Sequence, residues 1–388
     1  MIRHRTMRIF GLLILPALAA AQWAPPPAGP RGGFVTTGLS YQQWSFEDVD
    51  KGLQEVCAPT TVYFPVRPDL SLTISGTPGS VSWDELKLSG MSDTWIRGTY
   101  RVPGGRTMLH AGLGLPTGKT KLKIAADSLG MEEFDLSRII GQNIFRFRLP
   151  VFGQGLAAKI GAGAAFPAGE NVVIGAGAHY IHHGSFEPVD ADSFDYQAGG
   201  EAALFGGVDV QVSPTAKWSV NLSYTFYGSD KLNDETVYAS GEKLLINSSF
   251  TGKLGPGTLT ALLNWRQRGK NEYWIHTGTQ TEKQTEKKNS NGPQTELDAA
   301  WRIPWGPQAA FSLLATGRFY GQNDYRTGGA DVYGGGAGVD ARVSPRLSVS
   351  LNLIGLTGKT KDWNETAEKT VRTGLASFDL LAGMTYGW

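Results

Sequence analysis

Ionisable side chains recur at every second position in several segments of this chain, and they are the residues best placed to act on a solute. Alternate side chains of a β-strand point to the same face, so this spacing collects the charges on one face. Charges removed from bulk water need partners. We therefore predict either that they pair across neighbouring strands or that some of them border a path for small molecules. The set comprises Arg97, Arg101, His110, Lys159, His179, Glu201, Asp209, Arg266, Arg268, Glu296, Asp298, Arg302, Arg318, Asp340, Arg342 and Asp379.

Three short motifs resemble catalytic or nucleotide-binding elements without keeping the required spacing. Residues 112–120 end in Gly-Lys-Thr like a phosphate loop, but Leu113 stands where the first glycine is needed. Residues 161–166 lack the third glycine of a dinucleotide fingerprint. His183 and Ser185 could suggest an acyl hydrolase, yet a base must lie within about 3 Å of its nucleophile and no third member is marked. With a single cysteine, Cys57, we predict no catalytic residues, no metal site and no cofactor.

The last fourteen residues indicate the kind of element that carries these charges. Their apolar members alternate with small or polar residues and end on an aromatic side chain, as in the closing strand of an outer membrane barrel. The apolar face comprises Phe378, Leu380, Ala382, Met384, Tyr386 and Trp388. Such a terminus also resembles the sorting signal that the barrel assembly machinery reads. Phe378, Leu380, Met384, Tyr386 and Trp388 would carry that signal.

The same alternation recurs along the chain between turns of two kinds. It is clearest at residues 200–212, 217–227, 258–268 and 346–356. Short turns rich in Gly and Pro alternate with long polar stretches at 45–59, 118–142, 183–194, 228–239, 269–292, 321–329 and 357–373. Short periplasmic turns and long outer loops are typical of membrane barrels. We predict an all-β fold, a single antiparallel transmembrane β-barrel of about sixteen strands, with fourteen as the alternative because residues 60–74 are poorly patterned.

The amino-terminal residues predict export. Arg3, Arg5 and Arg8 precede an apolar run and three alanines, which is the pattern of a signal peptide cleaved after Ala21. The predicted organisation is therefore a signal peptide (1–21), a short periplasmic segment (22–32) and a barrel (33–388). The chain carries a formal net charge of +1, and cleavage would remove three arginines, which disfavours a nucleic-acid-binding surface. The mean hydropathy is −0.20, as expected when only alternate strand residues face lipid.

One loop contains apolar residues that are unusual for a solvated segment. Residues 131–140 suit a short helix that carries Phe134, Leu136, Ile139 and Ile140. These four side chains could fold inward and narrow the lumen. They could equally pack on the barrel rim or on lipopolysaccharide.

Two short segments resemble a known family. Gly90-Met91-Ser92-Asp93, together with residues 109–118 and their Leu-Pro-Thr-Gly ending, resembles the meta-pathway phenol degradation family of outer membrane proteins. That family looks distantly like the long-chain fatty acid transporter barrels. Ser92 stands where the family often has glycine, and the amino-terminal hatch of the fatty acid transporters has no counterpart. The resemblance implies a barrel that takes up hydrophobic or aromatic compounds.

These observations lead to one main functional prediction and two alternatives. We predict a bacterial outer membrane channel or transporter for small hydrophobic or aromatic molecules whose identity is unknown. The alternatives are a structural or adhesive barrel with a blocked lumen and an outer membrane acyl hydrolase. The expected partners are outer membrane lipid, lipopolysaccharide and the barrel assembly machinery, without nucleic acid.

Overall fold

The computed structural model describes residues 32–47, 49–124, 132–149, 151–190, 194–277, 280–364 and 369–388. The predicted signal peptide and residues 22–31 lie outside these described residues.

Regular structure in the described ranges comprises 26 strands and one helix. In chain order they are β1 (Phe34–Phe46), β2 (Val49–Cys57), β3 (Thr60–Arg67), β4 (Leu70–Gly76), β5 (Pro78–Trp83), β6 (Leu86–Met91), β7 (Thr94–Arg101), β8 (Thr107–Leu115), α1 (Glu133–Ile140), β9 (Ala157–Pro167), β10 (Val172–His183), β11 (Ser185–Phe186), β12 (Tyr196–Gln197), β13 (Glu201–Ser213), β14 (Ala216–Tyr227), β15 (Ser229–Leu232), β16 (Glu235–Ala239), β17 (Lys243–Leu254), β18 (Gly257–Arg268), β19 (Glu272–Thr277), β20 (Gln280–Thr285), β21 (Gln294–Trp305), β22 (Ala309–Tyr320), β23 (Gly329–Arg342), β24 (Leu347–Asn364), β25 (Lys369–Val371) and β26 (Gly374–Gly387).

Sixteen of these strands form a closed antiparallel barrel, as the sequence predicts. Each strand pairs with the next one in the series β1, β3, β4, β7, β8, β9, β10, β13, β14, β17, β18, β21, β22, β23, β24 and β26. The last strand then pairs with the first, with Phe34 opposite Gly387 and Phe46 opposite Leu375. Closure leaves the barrel without a free edge, which is the condition for strands to survive in lipid.

The outer surface carries an apolar belt between two rings of aromatic side chains. Near the short turns the exposed aromatic residues are Phe64, Phe166, Trp218, Trp305, Tyr386 and Trp388. Near the long loops they are Tyr180, Phe226, Phe319, Tyr333 and Phe378. Trp218 and Phe226 lie eight residues apart on β14, about 26 Å along a strand and about 20 Å across a membrane at a tilt near 40°. The spacing therefore matches the apolar band of an outer membrane barrel.

The described part of the chain contains no helix that is long and apolar enough to cross a membrane.

The short turns follow the prediction, and glycine is needed where the chain reverses most tightly. Gly255 between β17 and β18 has φ 56°, and Gly306 between β21 and β22 has φ 72°. This left-handed region is readily available to glycine but costly for other residues. Turns rich in Gly and Pro at 102–105, 167–170, 213–216, 254–257 and 304–307 all connect neighbouring barrel strands.

Several predicted loops contain more regular structure than their polarity suggested. The stretch 357–373 was predicted as a loop, but β24 continues through it to Asn364 and pairs with β25. Residues 228–239 and 269–292 likewise contain hairpins, which join a second sheet of six strands, β11, β12, β15, β16, β19 and β20. A loss of apolar alternation marks where a strand leaves lipid, and the backbone ladder can continue beyond that point.

Three barrel strands are each followed or preceded by a short break, and the strand beyond the break is not part of the sixteen-stranded wall. β3 continues β2, β5 continues β4 and β7 continues β6, with breaks at residues 58–59, 77 and 92–93. Beyond the breaks, β2 pairs with the upper half of β1 and with β5, and β5 pairs with β6. No described strand pairs with the other edge of β6. An apolar core lies inside this divided region, around Trp44, Leu53, Val81, Leu88 and Leu136.

Candidate functional site

A loop segment crosses the inside of the barrel. We call residues 143–149, which follow α1, the plug segment. Inward side chains of two strands that lie four strands apart around the barrel bind its backbone: the Gln42 amide donates to the carbonyl oxygen of Phe145 at 2.7 Å. The Arg318 guanidinium donates to the carbonyl oxygen of Ile144 at 2.7 Å, and the Tyr320 hydroxyl donates to that of Asn143 at 3.0 Å. The segment is therefore fixed to β1 on one side and to β22 on the other.

A single buried carboxylate holds the end of the plug segment. Glu55 of β2 is fully buried. Its two oxygens accept the backbone amides of Arg148, at 3.0 Å, and Leu149, at 2.7 Å. A hydrogen bond of this kind contributes about 0.5–1.5 kcal/mol, and an amide that loses its acceptor in a buried site costs about 1–3 kcal/mol. Glu55 is therefore a principal anchor of the segment.

The plug segment joins α1 in one apolar core. Phe145 packs edge-on against Trp44, with ring centroids 5.3 Å apart, and lies 5.6 Å from Phe147. Leu136 and Ile140 are fully buried in the same core, whereas Phe134 and Ile139 lie at its edge. The helix matches the predicted one, and its contacts are with β5 and β6. That these four residues narrow the lumen stays a prediction.

The base of α1 is tied to the preceding loop by an ion pair. Lys119 Nζ lies 2.7 Å from Glu133 Oε1, and the backbone amide of Lys123 donates to Oε2 at 3.2 Å. Burial opposes ionisation of Glu133, but these two hydrogen bonds outweigh it and lower the pKa of the carboxyl. Glu133 therefore carries its charge at neutral pH and holds the helix in place.

Sequence reasoning missed the plug segment itself. Its alternation, Phe145-Arg146-Phe147-Arg148, has the period of a strand, but both sides of the segment are enclosed by protein. The two arginines point away from the apolar core. Arg146 Nη1 lies 3.2 Å from Asp298 Oδ2, and Arg148 Nε donates to Ser40 Oγ at 3.2 Å. The two consecutive Phe-Arg pairs between the predicted helix and the next strand were the sequence feature that could have indicated the plug segment.

A cavity of about 390 Å³ lies beside the plug segment. It is lined by Arg146 and Arg148 of the plug and by five of the sequence-predicted residues, Asp298, Arg302, Arg318, Asp340 and Asp379. Arg302 pairs with Asp340 at 3.1 Å across β22. Asp379 accepts the Ser377 hydroxyl at 2.8 Å. On this side of the lumen, Arg302 and Arg146 have carboxylate partners, whereas Arg318 is bound to main-chain carbonyl oxygens.

The other sequence-predicted residues lie elsewhere around the wall. Glu296 accepts the Tyr320 hydroxyl at 2.7 Å, and Asp209 pairs with Lys217 at 2.8 Å. Arg101 and Arg342 are exposed at the ends of β7 and β23, next to short turns. The remaining members lie on β7 to β10, β13 and β18 and do not line the cavity; they are Arg97, His110, Lys159, His179, Glu201, Arg266 and Arg268.

The motif behind the family resemblance closes the gap beside β6. Asp93 Oδ1 accepts the backbone amide of Gly118 at 3.0 Å, and Oδ2 accepts that of Gln154 at 2.7 Å. A Cβ atom on Gly153 would lie 2.8 Å from the carbonyl carbon of Gly118, so the two loop segments are in direct backbone contact. Ser92 Oγ accepts the amide of Thr77 at 2.9 Å. These residues position both ends of the loop that contains the plug.

Glu55→Ala is expected to expose the single cysteine of the chain. Cys57 is 2 % exposed, lies on the same inward face of β2 as Glu55, and should resist a maleimide in the native protein. Without the Glu55 carboxylate the amides of Arg148 and Leu149 lose their acceptors, and the plug segment loosens. We expect labelling of Cys57 at least several times faster. Glu85→Ala, at an exposed hairpin turn, is the matched control and should label at the native rate. Equal rates in the two variants would show that Glu55 does not anchor the plug.

Comparison with known proteins gives a likeness of fold. No protein-family model and no curated protein matches the chain. An outer membrane channel from Pseudomonas putida F1 is 12 % identical, with 94 % of this chain and 100 % of that chain covered and a TM-score of 0.38. A FadL homologue from Pseudomonas aeruginosa is 8 % identical over 92 % and 90 %, with a TM-score of 0.43. The toluene transporter TbuX from Ralstonia pickettii is 9 % identical over 92 % and 90 %, with a TM-score of 0.39.

Proposed function

We propose that this protein is a channel of the bacterial outer membrane through which small molecules, hydrophobic or aromatic ones among them, pass by diffusion. The observation that carries the proposal is a lumen that the plug segment fills on one side only. The plug binds β1, β2, β21 and β22. On the adjoining wall, small polar side chains of β14, β17 and β18 face inward and are only half-buried; they include Asn221, Asn247, Ser249 and Asn264.

The apolar belt and the aromatic rings support the membrane location. Trp305 is 74 % exposed and Ile160 is 65 % exposed, which would be costly in water but is favourable against lipid and at its interface. A signal peptide would deliver the chain to the periplasm, and the carboxy-terminal strand would direct its assembly. The signal peptide and the role of the carboxy-terminal strand in assembly are both part of the proposal.

The dense anchoring of the plug segment favours one competing function, a barrel with a blocked lumen. The two functions differ in a direct measurement. Purified protein in planar lipid bilayers is expected to produce discrete current steps in potassium chloride, since water and ions would pass beside the plug. Bilayers that contain the folded, heat-modifiable protein but carry no current would overturn the channel and favour the structural barrel. Protein-free detergent is the blank.

A further inference from the structure

Among the described lumen cations without a carboxylate partner, Arg318 binds the plug segment and five others do not. We call these five the basic wall: Arg97 of β7, Lys159 of β9, Lys243 of β17, and Arg266 and Arg268 of β18. Within the described residues, none of the five lies within 4.0 Å of a carboxylate oxygen. Their polar contacts are with neutral groups. Arg268 donates to the Tyr227 hydroxyl at 3.3 Å, and Arg266 donates to the Gln294 side chain.

The strand register places these cations in two groups, one on β7 and β9 and one on β17 and β18. Between the two groups, Ile181 and Glu201 lie in register with Lys159. Arg97 lies opposite Gly112, which lies opposite Lys159, and Lys243 lies opposite Arg268. Two residues beyond Lys159, Gly161 lies opposite His110 on one neighbouring strand and His179 on the other. The ring centroids of the two histidines are 6.2 Å apart. The glycines make room for their neighbours, because a Cβ atom on Gly161 would overlap His110 Nε2 and one on Gly112 would lie 3.3 Å from Arg97 Cγ.

The nearby carboxylates are engaged by other groups. Glu201 Oε1 lies 3.4 Å from His183 Nε2, and Glu296 lies 3.8 Å from Arg146 on the plug side. In contrast, Arg302 and Lys217 on other parts of the wall have their own carboxylate partners. The five cations outnumber the carboxylates of Glu201 and Glu296, so this part of the wall carries an excess of positive charge. On the plug side, Arg318 is bound to the carbonyl oxygens of Ile144 and Phe145.

Aromatic rings lie among the cations. Arg97 stacks over Trp95 with its guanidinium carbon 5.2 Å from the ring centroid. Tyr227 lies between Arg268, at 5.0 Å, and Lys243, at 5.5 Å. Phe205 lies 6.0 Å from His179. Ring faces of this kind bind other aromatic groups by offset or edge-on contacts.

From this arrangement we infer that the open side of the lumen selects small organic anions, and that aromatic carboxylates use both its cations and its rings. Low-dielectric walls lined by one sign of charge concentrate the opposite ion, and rings of Lys and Arg are the usual basis of anion selectivity in pores. The inference rests on the proposed channel and names its substrate class.

Reversal potentials across a bilayer with unequal potassium chloride concentrations test the selectivity. The native channel is expected to pass chloride several-fold better than potassium. The double variant Lys159→Gln, Arg266→Gln should lose most of that preference while it keeps a measurable current. The matched control is Lys51→Gln, Arg67→Gln, which removes the same charge from an outer hairpin and a periplasmic turn and should leave the preference unchanged.

Benzoate and acetate separate the aromatic part of the inference from the anionic part. Added at equal concentration, benzoate should reduce the chloride current more strongly than acetate, since only benzoate can also contact the rings. Equal reduction by the two would overturn the role of the rings. A current without preference for chloride would overturn the anion selectivity and leave the channel standing. Folded protein without any current would overturn the channel and the selectivity together.

Discussion

Replacement of the plug segment, residues 143–149, by seven glycine and serine residues is expected to raise the single-channel conductance several-fold. The replacement removes two phenylalanines and two arginines from the lumen. The main-chain groups that Gln42, Glu55 and Arg318 bind remain. The packing of Phe145 on Trp44 and the ion pair between Arg146 and Asp298 are lost, and ordering a flexible glycine and serine segment costs more conformational entropy. A flexible segment that keeps few wall contacts would leave the cross-section of the barrel largely free for ions. Current steps in planar bilayers measure the effect.

A second replacement controls for the general effect of placing seven glycine and serine residues in a loop. Residues 321–327, in the outer loop between β22 and β23, can be exchanged for the same glycine and serine sequence. That variant should conduct like the native protein. If the plug replacement conducted no better than this control, the plug segment would not be the main obstacle in the lumen, and the constriction would lie elsewhere.

Trp388→Asp is expected to remove most of the protein from the outer membrane. The Trp388 side chain is 46 % exposed on the lipid-facing side of the barrel, and its ring lies 5.6 Å from that of Phe64. Its backbone amide donates to the carbonyl oxygen of Gly33, next to the seam where β26 meets β1. A carboxylate there would replace an aromatic group that favours the interface. It would also remove the terminal aromatic residue that resembles an assembly signal. Membrane fractionation and heat-modifiable migration on gels measure the loss.

Two variants separate the terminal signal from the ordinary cost of a charge at the interface. Trp388→Phe keeps an aromatic terminus and should assemble at the native level. Trp305→Asp places the same charge at another exposed aromatic position near the periplasmic turns, away from the terminus, and should reduce assembly less. Native levels of the Trp388→Asp protein would contradict the role of this terminus in assembly.

The alternation of side chains was enough to predict the barrel wall. The segments predicted at 217–227 and 258–268 correspond to β14 (Ala216–Tyr227) and β18 (Gly257–Arg268), and the terminal segment to β26. This succeeds because lipid on one side and lumen on the other impose a period of two on every strand. Glycine and proline then mark the short turns, because few other residues fit them.

The contents of the lumen could not be predicted in the same way. Alternation reveals that Arg266 and Arg302 point inward, but it does not reveal their partners. Arg302 meets Asp340, which is 38 residues away, whereas Arg266 meets only the neutral side chain of Gln294. The plug segment depends on contacts across even greater separations, up to 177 residues for the bond from Tyr320 to Asn143. Such contacts follow from the closed wall and leave no local pattern in the chain.

The plug segment also relates the two ends of the chain to each other. It is joined covalently to β8 and β9 in the first half of the barrel, yet it contacts β1 and β2 near the amino terminus and β21 and β22 near the carboxy terminus. Bringing distant segments together costs loop entropy until their contacts form. A segment that binds both ends at once offsets part of this cost at the moment when β26 reaches β1. The plug segment would then both narrow the pore and help the barrel to close. Substitutions that widen the passage should therefore also slow the last step of assembly.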